Sequence, residues 1–166
     1  MKRTSIGPVE CPVARALDEI GDWWSLLIIR DAFDGMRRFG EFQKSMGISK
    51  GILTTRLKHL VAIDVLDTAP VIDEGGYQEY VLTDKGRDLF LVMVSLRQWG
   101  EAHCFDKSER HSALVEKANG QRVPRLALRG RDGKELNESV TFVRKVPGPS
   151  AARKRHGSKG QRAPSA

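Results

Sequence analysis

Apolar residues recur three and four apart along most of the first hundred positions, and the rhythm breaks at glycine, aspartate and serine. Val13, Ala16, Leu17 and Ile20 mark one face of a first short helix, entered through Cys11-Pro12 and stopped by Gly21. Asp22 is placed to cap a second helix, Trp23 to Phe33, which is apolar nearly all round and is therefore predicted in the middle of the core. Asp34-Gly35 ends it. Arg38 to Ser45 reads as a third short helix with Phe39, Phe42 and Met46 inward, and Gly47-Ile48 makes a turn. Ser49 then caps a fourth helix, whose Leu53, Leu57 and Leu60 share one face. These elements compose a tri-helical unit.

After Asp64 the period changes. Val65-Leu66, Ala69 to Asp73 and Gln78 to Leu82, on either side of Gly75-Gly76, predict two strands around a hairpin, the candidate wing. Thr83 caps a long helix predicted to run to about Cys104, with Leu89, Val92, Met93, Leu96 and Trp99 at helical spacing. Phe90, Leu91 and Val94 widen its apolar surface beyond what one domain needs, which suits a dimer interface. From Arg122 to Val146 a loose alternation around Gly130 to Gly133 predicts a small β-hairpin appendage. Ser150 to Ala166, basic and rich in Ser, Gly and Ala, is predicted to be disordered. The fold class expected is thus mainly α with a small β wing, a winged helix-turn-helix. Its divisions are a flexible N-terminal arm over 1–10, the DNA-binding and dimerisation domain over 11–106, an appendage over 107–149 and a tail over 150–166.

Charge sharpens this picture more by its position than by its total of +7. Residues 1–120 hold 16 Lys and Arg against 18 Asp and Glu, whereas residues 121–166 hold 12 against 3, so the surplus is C-terminal. Within the acidic part, Arg37, Arg38, Lys44, Lys50, Arg56 and Lys58 gather between positions 37 and 58 with Glu41 as the single acid. No run approaches the roughly 18 apolar residues of a membrane span, and no secretory signal is visible, so no membrane partner and a cytoplasmic location are expected. Cys11 and Cys104 are too few and too isolated for a disulfide framework.

A basic stripe on the third and fourth helices, followed by a wing, meets the requirements for reading DNA. A helix fits the major groove, roughly 12 Å wide, with its N-terminal residues at the base edges. Ser49, Lys50, Thr54, Thr55, Arg56 and Lys58 lie between or opposite the leucines of the fourth helix and offer donors for bases and phosphates. Arg37 and Arg38 would hold backbone oxygens and set register. The basic tail would add salt-dependent affinity without sequence information.

Several ordered motifs together carry a resemblance: Cys11 to Trp24, Leu27 to Arg30, Arg38-Phe39-Gly40-Glu41-Phe42, Gly47-Ile48-Ser49, Leu53-Thr54-Thr55-Arg56-Leu57 and Tyr80 to Gly86. Over about residues 10–100 the chain resembles the HxlR-type regulators of bacteria, a MarR-like winged-helix group. The resemblance implies a homodimer built from the first and last helices, with Val13, Leu17, Leu89, Val92, Met93, Leu96 and Trp99 at its interface. It also implies a fourth helix in the major groove of double-stranded DNA, at a near-palindromic operator, and a repressor in preference to an activator. Two departures stand out. Asp64 occupies a position where the family usually has Gly after the recognition helix, and can take a left-handed conformation there at some cost, less easily than Gly. The wing tip, Asp73 to Gln78, has no cation, so Tyr77 and Gln78 are left to hydrogen-bond a phosphate.

In parts of the family a cysteine near the N-terminus senses electrophiles or oxidants, and Cys11 matches that position, ahead of a helix N-terminus and one turn from Arg15. The bland alternative is a small residue packing an interface. His103, Cys104 and His111 do not make a tetrahedral set, and neither a metal nor a cofactor is expected. No GxSxG, HExxH or phosphate-cradling glycine loop is present, and the chain reads as no enzyme. Competing readings are a winged-helix protein-interaction module without sequence-specific DNA binding and, more remotely, a thiol enzyme on Cys104 and His103.

Overall fold

The computed structural model describes residues 6–7, 9–70 and 78–145. Its elements are α1 (Pro12–Ile20), α2 (Trp23–Phe33), α3 (Phe39–Met46), α4 (Lys50–Ala62), β1 (Leu66–Pro70), β2 (Gln78–Leu82), α5 (Asp84–Arg87) and α6 (Phe90–His103). Side-chain caps set the helix starts where the sequence places Asp, Ser and Thr. Asp22 Oδ1 accepts from the Ser25 amide (3.1 Å), Ser49 Oγ from Ile52 (3.4 Å) and Thr83 Oγ1 from Gly86 (3.0 Å).

The core lies where α2 crosses α3 and α4 above the hairpin. Ile28 and Ile29 of α2, Phe42 of α3, Leu53, Leu57 and Leu60 of α4, and Val65 and Leu66 are buried together with Ile48. Burying each such side chain stabilises the fold by roughly 1.5–3 kcal/mol before the entropy of ordering is counted. Trp23, the first residue of α2, is 63% exposed, its ring tilted by 34° at 4.3 Å from that of the half-buried Trp24.

Helix α4 ends in a Schellman turn. The Val65 amide donates to the Leu60 carbonyl (2.9 Å) and the Asp64 amide to that of Val61 (3.0 Å), which places Asp64 at φ 59°. It is the one non-glycine residue with positive φ among those described. The chain then enters an antiparallel hairpin in which Leu66 pairs with Leu82, Thr68 with Tyr80 and Pro70 with Gln78. The Tyr80 amide donates to the Arg37 carbonyl (2.8 Å), and its ring lies 6.4 Å from that of Phe42, fastening the wing to the start of α3. Positions 71–77, including Tyr77 and the predicted wing tip, lie outside the described residues, as do most of the N-terminal arm and all of 150–166.

Two expectations need correction. The long helix predicted from Thr83 to Cys104 is divided, because α5 and α6 answer to different neighbours. Gly86 sits so close to the hairpin that a Cβ there would lie 2.1 Å from the Val65 carbonyl oxygen. The Leu89 amide then bonds three residues back to Gly86 (3.1 Å), tightening the turn and letting α6 leave along α2, where Phe90 meets Phe33 edge-on at 5.3 Å. The β-hairpin expected from Arg122 to Val146 is reduced to isolated antiparallel bridges, Val115 with Arg122 and Arg129 with Glu135. Val140, Phe142 and Val143 find no second layer to bury against, and a lone pair of strands gains too little without one. Only its start is tied to α6, with Gln98 Nε2 donating to Pro124 O (2.9 Å) and Gln98 Oε1 accepting from the Leu126 amide (2.8 Å), while Arg97 Nη1 donates to Ser112 Oγ (2.9 Å) in the stretch before it.

Candidate nucleic-acid interface

With Leu53, Leu57 and Leu60 inward, helical spacing turns Gly51, Thr55 and Lys58 outward and sets Ile52 and Thr54 on the flanks of that face. Ser49, Lys50, Gly51, Ile52, Thr55 and Lys58 are all exposed. Neither Lys50 nor Lys58 makes an ion pair with a described residue, so both ammonium groups are available to phosphates. The hydroxyls of the two threonines are turned back on the helix. Thr54 Oγ1 donates to the Lys50 carbonyl (2.8 Å) and Thr55 Oγ1 to that of Gly51 (2.9 Å).

Arg56 points elsewhere. Its Nη2 lies 3.0 Å from Asp22 Oδ2, its side chain is 29% exposed, and its buried Nε has no hydrogen-bond partner among the described residues. Asp22 therefore serves two helices, one oxygen capping α2 and the other holding α4 against it. The sequence places Arg56 among the base and phosphate contacts; in the fold its guanidinium turns to Asp22 and ties α4 to α2.

Arg37 and Arg38 open α3 beside the wing. Glu41 Oε2 accepts from both of their amides at 2.8 Å, and these hydrogen bonds, that from Arg38 first, hold the Glu41 carboxyl below the ordinary carboxylate range, helped by the Arg38 charge. The two guanidinium groups reach Glu79 of β2, at 3.7 Å from Arg37 Nη1 and 3.4 Å from Arg38 Nε. Both stay exposed, but Glu79 offsets part of their charge where the wing begins, next to the exposed Gln78. Sequence reading missed Glu79, Asp22 in its second role, and the exposed pair Gly51-Ile52. Only the last left a signal, as a glycine and an isoleucine between the helix cap and the first core leucine.

The other functional candidates lie apart from this face. Cys11 is exposed at the start of α1, where its side chain caps nothing, and Arg15 Nε donates to the Val9 carbonyl instead of reaching the thiol. Of the residues predicted at a dimer interface, Val13, Leu17, Val92, Leu96 and Trp99 are exposed, whereas Leu89 and Met93 pack against the protomer's own core. A cavity of about 770 Å³ opens between α2, α6 and residues 105–114, walled by Trp23, Leu27, Phe90, Met93, Leu96 and Phe105. His103 lies against Trp99 (5.2 Å) and His111 against Phe105 (4.8 Å). No described helix is long and apolar enough to cross a membrane.

The same architecture occurs in known proteins. The crystal structure of PA1607, assigned as a transcription factor, superposes with a TM-score of 0.82 at 52% identity, covering 86% of this chain and all (100%) of that one. HypR, a redox regulator solved in its oxidized form, gives 0.53 at 32% identity, over 56% of this chain and 97% of that one. An HTH-type transcriptional regulator of Mycobacterium tuberculosis is 44% identical over 91 residues, 55% of this chain, and the match spans 58% of that relative's length. YybR of Bacillus subtilis, another HTH-type regulator, is 32% identical over 94 residues, 56% of this chain and 75% of the relative. The family model described as HxlR-like helix-turn-helix matches residues 19–108, and the chain belongs to that family of MarR-like winged-helix transcription regulators.

Proposed function

We propose that the chain is a sequence-specific regulator that binds double-stranded DNA as a homodimer, acts by repression, and responds to electrophiles or oxidants through Cys11. The observation that carries DNA binding is the outer face of α4, with Lys50 at the capped N-terminus and Lys58 two turns on, neither paired with a described residue, while the opposite face is engaged in the core. Its helix N-terminus, cations and neighbouring Arg37 and Arg38 fit the phosphates that border a major groove. Support for the dimer comes from the apolar surface of α1 and α6. Val13 (66%) of α1 and Leu91 (62%) and Trp99 (60%) of α6 are large apolar side chains left exposed in the protomer, as at a surface that meets a partner. Two-fold symmetry then calls for a near-palindromic operator. For Cys11 the support is its exposure ahead of α1, together with the redox role in HypR's name. An apolar effector that does not react with thiols would have the cavity beside α6.

Selection from random duplexes, followed by titration of the recovered site at two salt concentrations, tests the DNA reading. The expected result is a near-palindromic site, with Lys58→Ala weakening binding to all sequences alike and lowering the salt slope by about 1. Weak binding, uniform across sequences, would leave the winged-helix protein-interaction module as the better reading. Exposure to a quinone should release the wild type from its site and leave Cys11→Ser bound; equal release would remove Cys11 from the mechanism.

A further inference from the structure

We propose that the outer face of α4 recognises thymine methyl groups in the major groove, through Ile52 and the methyls of Thr54 and Thr55, with Gly51 allowing the helix to close onto the base edges. The proposal rests on the DNA-binding reading above and specifies what that surface reads.

Ile52 is 42% exposed, stands outside the hydrophobic core and the half-buried residues packed on it, and sits in the first turn of α4 with Lys50 and Lys58 on the same helix. A large exposed apolar side chain on the helix that also carries Lys50 and Lys58, neither of them in an ion pair with a described residue, suits a polyanion with apolar groups on its floor better than an apolar protein surface. Duplex DNA offers this in one form, since among the four bases only thymine presents a methyl group in the major groove. The threonines point the same way. Each hydroxyl has one proton, and both are committed to helix carbonyls, at 2.8 and 2.9 Å. While so bonded they do not donate to guanine O6 or thymine O4; what they present to a base pair is a methyl group, which matches the thymine C5 methyl, and an acceptor lone pair, which takes the amino group of adenine or cytosine.

Gly51 supplies an independent observation. It lies at the second position of α4, and apart from its chain neighbours and its own helix backbone no atom of the described residues comes within 4 Å of where its Cβ would stand, so the fold does not require a glycine that weakens the helix. On the outer face, between Lys50 and Ile52, the missing side chain lets the backbone approach a groove floor and brings Ile52 and Thr55 within contact distance of it.

The test uses the site recovered from random duplexes and the same duplex with each thymine in turn replaced by deoxyuridine, which removes only the C5 methyl. In each half-site at least one replacement should weaken wild-type binding about fourfold, the loss of one buried methyl. At that position Ile52→Ala, at an exposed helical site, should bind both duplexes equally. Gly51→Ala should leave the melting temperature unchanged or raised while weakening binding at least about tenfold, as expected where an added methyl meets a closely packed interface. If no deoxyuridine weakens binding while the wild type still prefers its site to a scrambled duplex, the methyl-reading proposal falls and the regulator reading stands. A deoxyuridine effect unchanged in Ile52→Ala, or undiminished binding by Gly51→Ala, also overturns it. Loss of discrimination between selected and scrambled duplexes by the wild type would sink both.

Discussion

Helices α4 and α6 each bury one stripe and expose the other, yet their exposed faces have opposite chemistry. On α4 the buried side is Leu53, Leu57 and Leu60, and the outer side carries Lys50, Gly51, Ile52, Thr55 and Lys58. On α6 the buried side is Val94 with the half-buried Met93, preceded by Leu89 at the N-cap, and the outer side carries Leu91, Val92, Leu96 and Trp99. The first face has two cations that pair with no described residue, beside a glycine, a threonine and a single large apolar side chain, and suits a charged groove; the second has several large apolar groups and suits a matching apolar surface. A helix's inner stripe therefore identifies its place in the fold, while its outer stripe identifies what it meets.

The largest effect should come from putting charge on the apolar face. Leu96 is 48% exposed in the protomer, so Leu96→Glu should fold normally, but in a dimer it would bury an unpaired carboxylate at a cost of about 3–5 kcal/mol. If the proposed dimer forms through α6, sedimentation should show the variant as a monomer at concentrations where the wild type sediments as a dimer, with an unchanged circular dichroism spectrum. A dimer of undiminished stability would take α6 out of the interface and break the contrast between the two helices.

Next in size is the link that orients the α4 face. Asp22→Ala removes the α2 cap, worth about 0.5–2 kcal/mol, and leaves the half-buried Arg56 without its carboxylate. Urea unfolding should show a loss of about 2–3 kcal/mol, and affinity for DNA should fall without any change in which sequence is preferred. A changed preference would return Arg56 to the base-reading residues.

Much of the tri-helical unit was legible because its signals are local. Asp22, Ser49 and Thr83 cap the helices the sequence assigns to them, and the leucines at 53, 57 and 60 point inward as their spacing requires. What escaped the sequence depends on contacts between distant positions. The division between α5 and α6 follows from Gly86 meeting Val65, twenty-one positions earlier in the chain, and no helical period encodes that approach. The role of Arg56 depends on Asp22 of another helix, and the attenuation of Arg37 and Arg38 on Glu79 of a strand. The alternation from Arg122 to Val146 suggested strands, but alternation specifies a strand only where a second surface covers its apolar side, and Phe142 and Val143 are 82% and 86% exposed.

A smaller effect, of the opposite sign, is expected at the end of α4. Asp64 holds φ 59° in the Schellman turn, a conformation that costs an L-residue roughly 1–2 kcal/mol and glycine almost nothing. Asp64→Gly also makes the unfolded chain more flexible, which offsets part of the gain. The net change should be a stabilisation of about 0.5–1 kcal/mol by urea unfolding, with DNA affinity unchanged because the turn lies at the far end from Lys50. Destabilisation would mean that the Asp64 side chain holds the turn in some further way.

The smallest effect concerns pH and separates the two faces again. Glu41 fixes the start of α3 by accepting from the Arg38 and Arg37 amides, and its folded pKa lies below the ordinary value near 4.5. A carboxylate with a depressed folded pKa binds its proton more readily in the unfolded chain. Its contribution is therefore complete above the unfolded value and is lost as pH falls through the folded one. Glu41→Gln should be less stable than the wild type at neutral pH, and the gap should close as acid protonates the wild-type carboxyl. Because Glu41 anchors the loop whose Arg37 carbonyl accepts from Tyr80 of the wing, hydrogen exchange in the variant should rise first at Arg37, Arg38 and Tyr80, while amides of α6 exchange as in the wild type. A gap that stayed constant from neutral pH into the acid range would show that Glu41 acts by packing, without its charge.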